Sequence, residues 1–170
     1  MGKIPEKFKE TVIFLAEKLK GKQYAFRGTT SLVLRRLDFN VEDIDILTDK
    51  RTALDSNSIL SDYLVKKVEY KETEKYKSYF GSFNVNGVDV EIIGEWQIRD
   101  TKGIWSGEYD ASEDEVDEID FQGKKVRVTK IETELAQYAK IGRWNVFHKI
   151  KRDLKKKGRQ SDQEKQIPLI

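Results

Sequence analysis

The chain has no cysteine, one histidine and two prolines among its 170 residues. Without cysteine there is no disulfide framework, no thiolate zinc site and no cysteine nucleophile. With His148 alone there is no multi-histidine metal centre. A metal bound here must therefore take oxygen ligands, which favours Mg²⁺ or Mn²⁺ over zinc. Long apolar runs are missing too. Lys and Glu interrupt the apolar positions of Met1 to Lys20, so the N-terminus reads neither as a signal peptide nor as a membrane span, and a cytoplasmic protein with no membrane partner is expected. An excess of one charge is the last absence. The 32 basic and 30 acidic side chains give a formal charge of +2, too balanced for a general polyanion binder without a local patch.

What remains is a polar globular composition, 38% hydrophobic and 36% charged, on a chain of one-domain length. Residues 1–158 are read as one α/β (α+β) domain, with 159–170 a polar, flexible tail whose Ile167, Leu169 and Ile170 are free to dock. Phe8, Val12, Leu15, Ala16 and Leu19 recur at helical spacing between Pro5 and Gly21. Gln23 to Arg27 reads as a strand entering the turn Gly28-Thr29-Thr30, with a helix from Ser31 to Leu37. Asp43 to Thr48 alternates acid and apolar, and Arg51 to Leu64 is expected to be helical. Strands over Tyr76 to Val85 and Val88 to Ile93 flank Asn86-Gly87, the pair best suited to a two-residue hairpin turn. Arg99 to Glu118 reads as an acidic solvated loop leading to a hairpin around Gln122-Gly123. Thr129 with Glu132 forms a capping-box pattern opening a helix to Ile141, and a basic helix follows from Trp144 to Lys157.

Residues i and i+2 of a strand share a face, so Asp43 and Asp45 stand side by side, with Cα atoms roughly 6 to 7 Å apart. Such a pair is either fully hydrated at a strand end or neutralised by a hard cation between the carboxylates. Upstream, Gly28-Thr29 sits between a strand and a helix, where glycine serves either a tight turn or a close approach of phosphate to free N–H groups. Downstream, Val88-Asp89-Val90-Glu91-Ile92-Ile93 sets two more acids on one face, and either Asp89 or Glu91 is placed to complete a metal site.

The order Phe26-Arg27-Gly28-Thr29, Asp43-Ile44-Asp45 and then an acid within Val88 to Ile93 resembles the nucleotidyltransferase fold, the superfamily of DNA polymerase beta, aminoglycoside nucleotidyltransferases and minimal nucleotidyltransferases. Thr29 stands where the family usually has Ser or Gly. The stretch Val126 to Arg143 is similar to the strand and helix that follow the family's core, with Trp144-Asn145 where Lys-Asp usually follows.

The resemblance implies a mixed sheet flanked by helices, with C-terminal helices, and a transfer of a nucleoside monophosphate from a nucleoside triphosphate to a hydroxyl of a small molecule, RNA or protein. Asp43 and Asp45 would hold Mg²⁺ or Mn²⁺. Arg27, Gly28, Thr29, Thr30, Lys140 and Arg143 would face the nucleotide. Glu91 or Asp89 would be the third acid, helping to hold metal or taking a proton from the acceptor, and the apolar pair Ile92-Ile93 after Glu91 favours Glu91. The alternative is a module that keeps the fold but acts by binding a protein partner, such as one half of a toxin–antitoxin pair.

Overall fold

The computed structural model describes residues 4–166; the Ile167, Leu169 and Ile170 docking expectation lies outside them. The apolar stripe of Phe8, Val12, Leu15 and Ala16 forms helix α1 (Glu6–Lys18) and is buried along its length. After it come β1 (Tyr24–Arg27), α2 (Gly28–Leu34), β2 (Ile44–Thr48), α3 (Lys50–Ile59), β3 (Leu64–Glu72), β4 (Tyr76–Val85), β5 (Val88–Ile98), β6 (Val116–Phe121), β7 (Lys124–Thr129), α4 (Ile131–Ile141) and α5 (Trp144–Gln166). Among the described residues, no helix is long and apolar enough to cross a membrane.

The strands form one mixed sheet in the order β3-β4-β5-β2-β1-β7-β6. β2 runs parallel to β5, and β1 parallel to β7, while the remaining neighbours are antiparallel. The expected α/β architecture with C-terminal helices is thus what forms. Alternation along the central strands divides two faces. Phe26, Ile44, Ile46, Val90 and Ile92 pack under α1 and α3 in the main core. Ala25, Leu47, Ile93 and Trp96 look the other way, into a second cluster closed by Ile98, Ala111 and Val116. On that second face the row Arg27, Asp45, Glu91 is set by strand register, Arg27 opposite Asp45 and Asp45 opposite Glu91. α2, α4 and α5 join through Leu32, Tyr138, Val146 and Ile150.

Both hairpins form as the sequence predicts. Asn86 and Gly87 have φ of 53° and 87°, and Gln122 and Gly123 have φ of 49° and 77°. Several boundaries differ. α2 begins at Gly28 rather than Ser31. α3 starts at Lys50, capped by the Asp49 carboxylate on the Thr52 N–H at 2.8 Å, and stops at Ile59. The strand β3 that follows is unexpected from the sequence, because only Val68 of its nine residues is buried and no apolar alternation is left to see. It is an edge strand rich in lysine, the usual protection of an open sheet edge. Asn57 fixes it by accepting from the Val68 N–H at 2.8 Å and donating to the Val68 carbonyl at 3.1 Å.

The capping box does not form. Lys130 is the first cap of α4 and offers no side-chain bond. Thr129 instead ends β7, its hydroxyl lying 3.5 Å from the Phe26 carbonyl and bonded to Glu134. The last helix runs on through Gly158 to Gln166, where the sequence reading places a tail.

Candidate active site

The end of β1 and the start of α2 build one side of the site. Gly28 adopts φ +62°, and a Cβ there would lie 3.3 Å from the Asp45 carboxylate and 3.9 Å from the Tyr138 hydroxyl. Glycine is needed both for the left-handed backbone and for the close approach. Its N–H donates to Glu134 at 2.9 Å, a buried bond. The expectation that this amide is free for a phosphate is therefore corrected: a carboxylate 106 positions away along the chain occupies it.

Thr30 is fully buried. Its hydroxyl donates to the Asp43 carbonyl at 3.2 Å and accepts from the Asp45 N–H at 3.3 Å. It is thus a tie that holds the Asp43-Ile44-Asp45 segment, and it does not line the cleft, contrary to the nucleotide-facing expectation. Thr29 does line the cleft.

The carboxylates come together as register demands. Asp45 on β2 and Glu91 on β5 are direct neighbours and close enough to share a proton. Burial pushes the Glu91 carboxyl up to about 6, helped by the charge of Asp45 and then by that of Asp43. Burial also raises the Asp45 carboxyl, against the pull of Arg27 and with a further push from Asp43. Two carboxylates that raise each other are a site short of positive charge. Asp43 lies just before β2 and is exposed, its charge felt by both. Asp89, the alternative third acid, sits one pleat nearer the hairpin turn, exposed and accepting from Asn84 at 3.0 Å. It is Glu91, and not Asp89, that joins Asp45 in the cleft.

The cleft has a volume of about 490 Å³. Its floor is the ionic row of Arg27, Asp45 and Glu91, continued by the apolar Phe80, Ile93 and Trp96, and its far wall comes from Tyr138, Ile141 and Arg143. Arg27 is buried, 3.5 Å from the Asp45 carboxylate, with its guanidinium 4.5 Å above the Trp96 ring. Arg143 is exposed at the rim, 5.7 Å from the Tyr138 ring. Lys140 does not reach this cleft; it lines a neighbouring hollow of about 310 Å³ with Arg99 and Asp100. A larger hollow, about 690 Å³, lies at the other end of β1, but its Lys124 and Arg127 are already paired with Glu17 and Glu113 at 3.6 and 3.1 Å.

Three cleft residues escape the sequence reading. Lys71 lies on the unrecognised edge strand. Tyr138, considered only as a stacking ring, is a buried phenol whose pKa is pushed up to about 12 by burial and then by the Glu134 charge. Glu134 is wholly buried. A signal existed: Glu134 interrupts the apolar stripe of Ile131, Leu135 and Tyr138, and a carboxylate on the buried face of a helix needs a partner.

As to the donor set, Asp43, Asp45 and Glu91 offer only carboxylate oxygens, which suits Mg²⁺ or Mn²⁺. Among the described residues, no three acidic or histidine side chains are already gathered around a metal position. That accords with Mg²⁺ chemistry, in which one or two carboxylates share the cation with water and substrate phosphates.

No family model and no curated protein sequence matches the chain. Solved structures do. A Thermotoga maritima protein named a "putative nucleotidyltransferase" superposes with a TM-score of 0.76 at 28% identity, over 91% of this chain and 96% of that one. This chain has a nucleotidyltransferase-like fold. The lincosamide antibiotic adenylyltransferase LnuA, in its lincomycin-bound structure, shares that fold with a TM-score of 0.54 at 16% identity, over 88% of this chain and 98% of its own. In this nucleotidyltransferase-like fold the acidic pair stands on the two central parallel strands, where side chains from both meet at one open face.

Proposed function

We propose that the protein transfers a nucleoside monophosphate from a nucleoside triphosphate to a hydroxyl acceptor, using Mg²⁺ or Mn²⁺. One observation carries the reading: Asp45 and Glu91 stand side by side on parallel strands in an open cleft, with Glu91 raised to about 6. The name of the Thermotoga maritima neighbour supports nucleotidyl transfer as the reaction class.

Asp43 and Asp45, joined by Glu91, are the residues that would hold the cation. When bound, it neutralises the triphosphate and the charge that builds on the departing pyrophosphate. The chain's own residues do the rest. Thr29 borders the phosphate end of the cleft, and Arg143 and Lys71 offer positive charge at its rim. The Glu91 carboxylate accepts the proton of the attacking hydroxyl, since an acid near 6 is ionised at neutral pH yet more basic than an ordinary glutamate. Phe80, Ile93 and Trp96 present an apolar surface next to Glu91, against which a base or an acceptor can pack.

The test is calorimetric titration of each nucleoside triphosphate with Mg²⁺ or Mn²⁺ into the wild type and an Asp43→Asn, Asp45→Asn double variant. Metal-dependent binding that the double variant loses is expected, followed by pyrophosphate release when a hydroxyl acceptor is supplied. Equal binding by both proteins would refute the assignment.

A further inference from the structure

Glu134 is the one wholly buried charge that this mechanism leaves without a role. One of its oxygens, Oε1, accepts from the Gly28 N–H at 2.9 Å and from the Thr129 hydroxyl. The other, Oε2, is buried and has no hydrogen-bond partner among the described residues. Arg27 is in the same condition. Its Nε is buried without a partner, and its one ion-pair contact is Nη1 to Asp45 Oδ2 at 3.5 Å, longer than the usual charge-assisted hydrogen bond. Burial opposes the charge on Arg27, but Glu134 first and Asp45 second outweigh it and hold the guanidinium above its ordinary pKa.

A buried guanidinium facing a single carboxylate is expected to close on it as a two-pronged pair. Closed in that way on Asp45, Arg27 would occupy oxygen lone pairs that a cation needs. The observed guanidinium does not close; it lies flat on Trp96 between two carboxylates and is hydrogen-bonded to neither. The same Glu134 also fastens Gly28, the residue whose missing Cβ leaves room for the Asp45 carboxylate at 3.3 Å.

We propose that Glu134 is a positioning residue, a buried second counter-ion that shares Arg27 with Asp45 and so leaves Asp45 free to ligate a divalent cation. This rests on the proposed reading of Asp45 as a ligand. It predicts a competition: neutralising Glu134 hands Arg27 wholly to Asp45, and removing Arg27 as well lifts the block.

The experiment is titration with Mn²⁺ alone, without nucleotide or turnover, on folded protein checked by circular dichroism. Glu134→Gln keeps an oxygen for the Gly28 N–H but loses the charge, and its Mn²⁺ affinity is expected to fall by about tenfold, the lower end for loss of an outer-shell partner. The double variant Glu134→Gln, Arg27→Met is expected to recover to within about threefold of the wild type, a rescue that a purely structural role for Glu134 would not produce. Glu134→Asp retains the charge, is expected to bind Mn²⁺ nearly as the wild type does, and serves if Glu134→Gln does not fold. Wild-type affinity in Glu134→Gln, no recovery in the double variant, or a Glu134→Asp as weak as Glu134→Gln would each overturn the proposal. Absence of Mn²⁺ binding in the wild type would overturn the reading of Asp45, and this inference with it; binding lost in Asp43→Asn, Asp45→Asn but unchanged in Glu134→Gln would overturn this inference alone.

Discussion

Replacing Gly28 by alanine tests the turn and the site together. Gly28 sits at φ +62°, where a residue with a Cβ pays about 1–2 kcal/mol for the left-handed backbone. For a chain of this size each kcal/mol lowers the melting temperature by about 2–4 °C, so Gly28→Ala is expected to melt about 2–8 °C below the wild type. The new methyl would also stand 3.3 Å from Asp45 Oδ2, tighter than ordinary contact, and Asp45 has Arg27 3.5 Å away on one side and Glu91 on the other. The carboxylate must shift by a few tenths of an ångström, and a drop in Mn²⁺ affinity of about tenfold is expected. Gly21→Ala is the control. It has φ +79° but nothing within 4 Å of the added atom, so it should lose similar stability and bind Mn²⁺ unchanged. Melting curves and Mn²⁺ titration on the two variants decide the matter. Equal Mn²⁺ affinity in Gly28→Ala and Gly21→Ala would refute the claim that the turn packs against the carboxylate. An unchanged melting temperature in Gly28→Ala would refute the strained backbone.

Thr30→Val should cost about 1 kcal/mol, the low end for unsatisfied buried groups because the bonds to Asp43 and Asp45 are long at 3.2 and 3.3 Å; an unchanged melting temperature would show that Thr30 does not tie this segment. Glu91 has a folded pKa of about 6, raised above its unfolded value, so its protonated form is favoured in the fold. The stability it contributes is fully present below about 4.5 and is lost as pH rises through about 6. Melting temperatures followed from pH 4.5 to 7 should therefore decline in the wild type more than in Glu91→Gln, and parallel curves would contradict the raised carboxyl. Gly81→Ala would bring a Cβ to 2.5 Å from the Val68 side chain and 2.7 Å from its backbone, which should loosen β3 from β4 at a cost of about 1–3 kcal/mol and raise amide exchange along β3. Unaltered exchange at Val68 would argue against that packing.

The Asp-Ile-Asp strand, the Asn86-Gly87 hairpin and the helical stripe of α1 are legible in the sequence because each follows from a local period or a local turn. A strand exposes its alternation wherever one face is buried, and β2 and β5 both have such a face. β3 was hidden for the converse reason: an edge strand buries little, and a run with one buried residue carries no periodic signal. The capping-box pattern at Thr129 misled because the same hydroxyl had a better partner in Glu134, brought to it by the packing of α4.

The sequence by itself determined which residues carry carboxylates, that Asp43 and Asp45 precede a buried strand face, and that no sulfur or histidine cluster competes for a metal. Only the tertiary structure decided which acid completes the set. Parallel pairing of β2 with β5 puts Glu91, and not Asp89, beside Asp45, and register between strands some 45 residues apart is fixed by the whole buried face of the sheet rather than by any local run. The same holds for Gly28. Its positive φ was foreseeable from the turn, but its N–H is claimed by Glu134 because α4 docks over the end of β1, a contact that exists only once the core has formed.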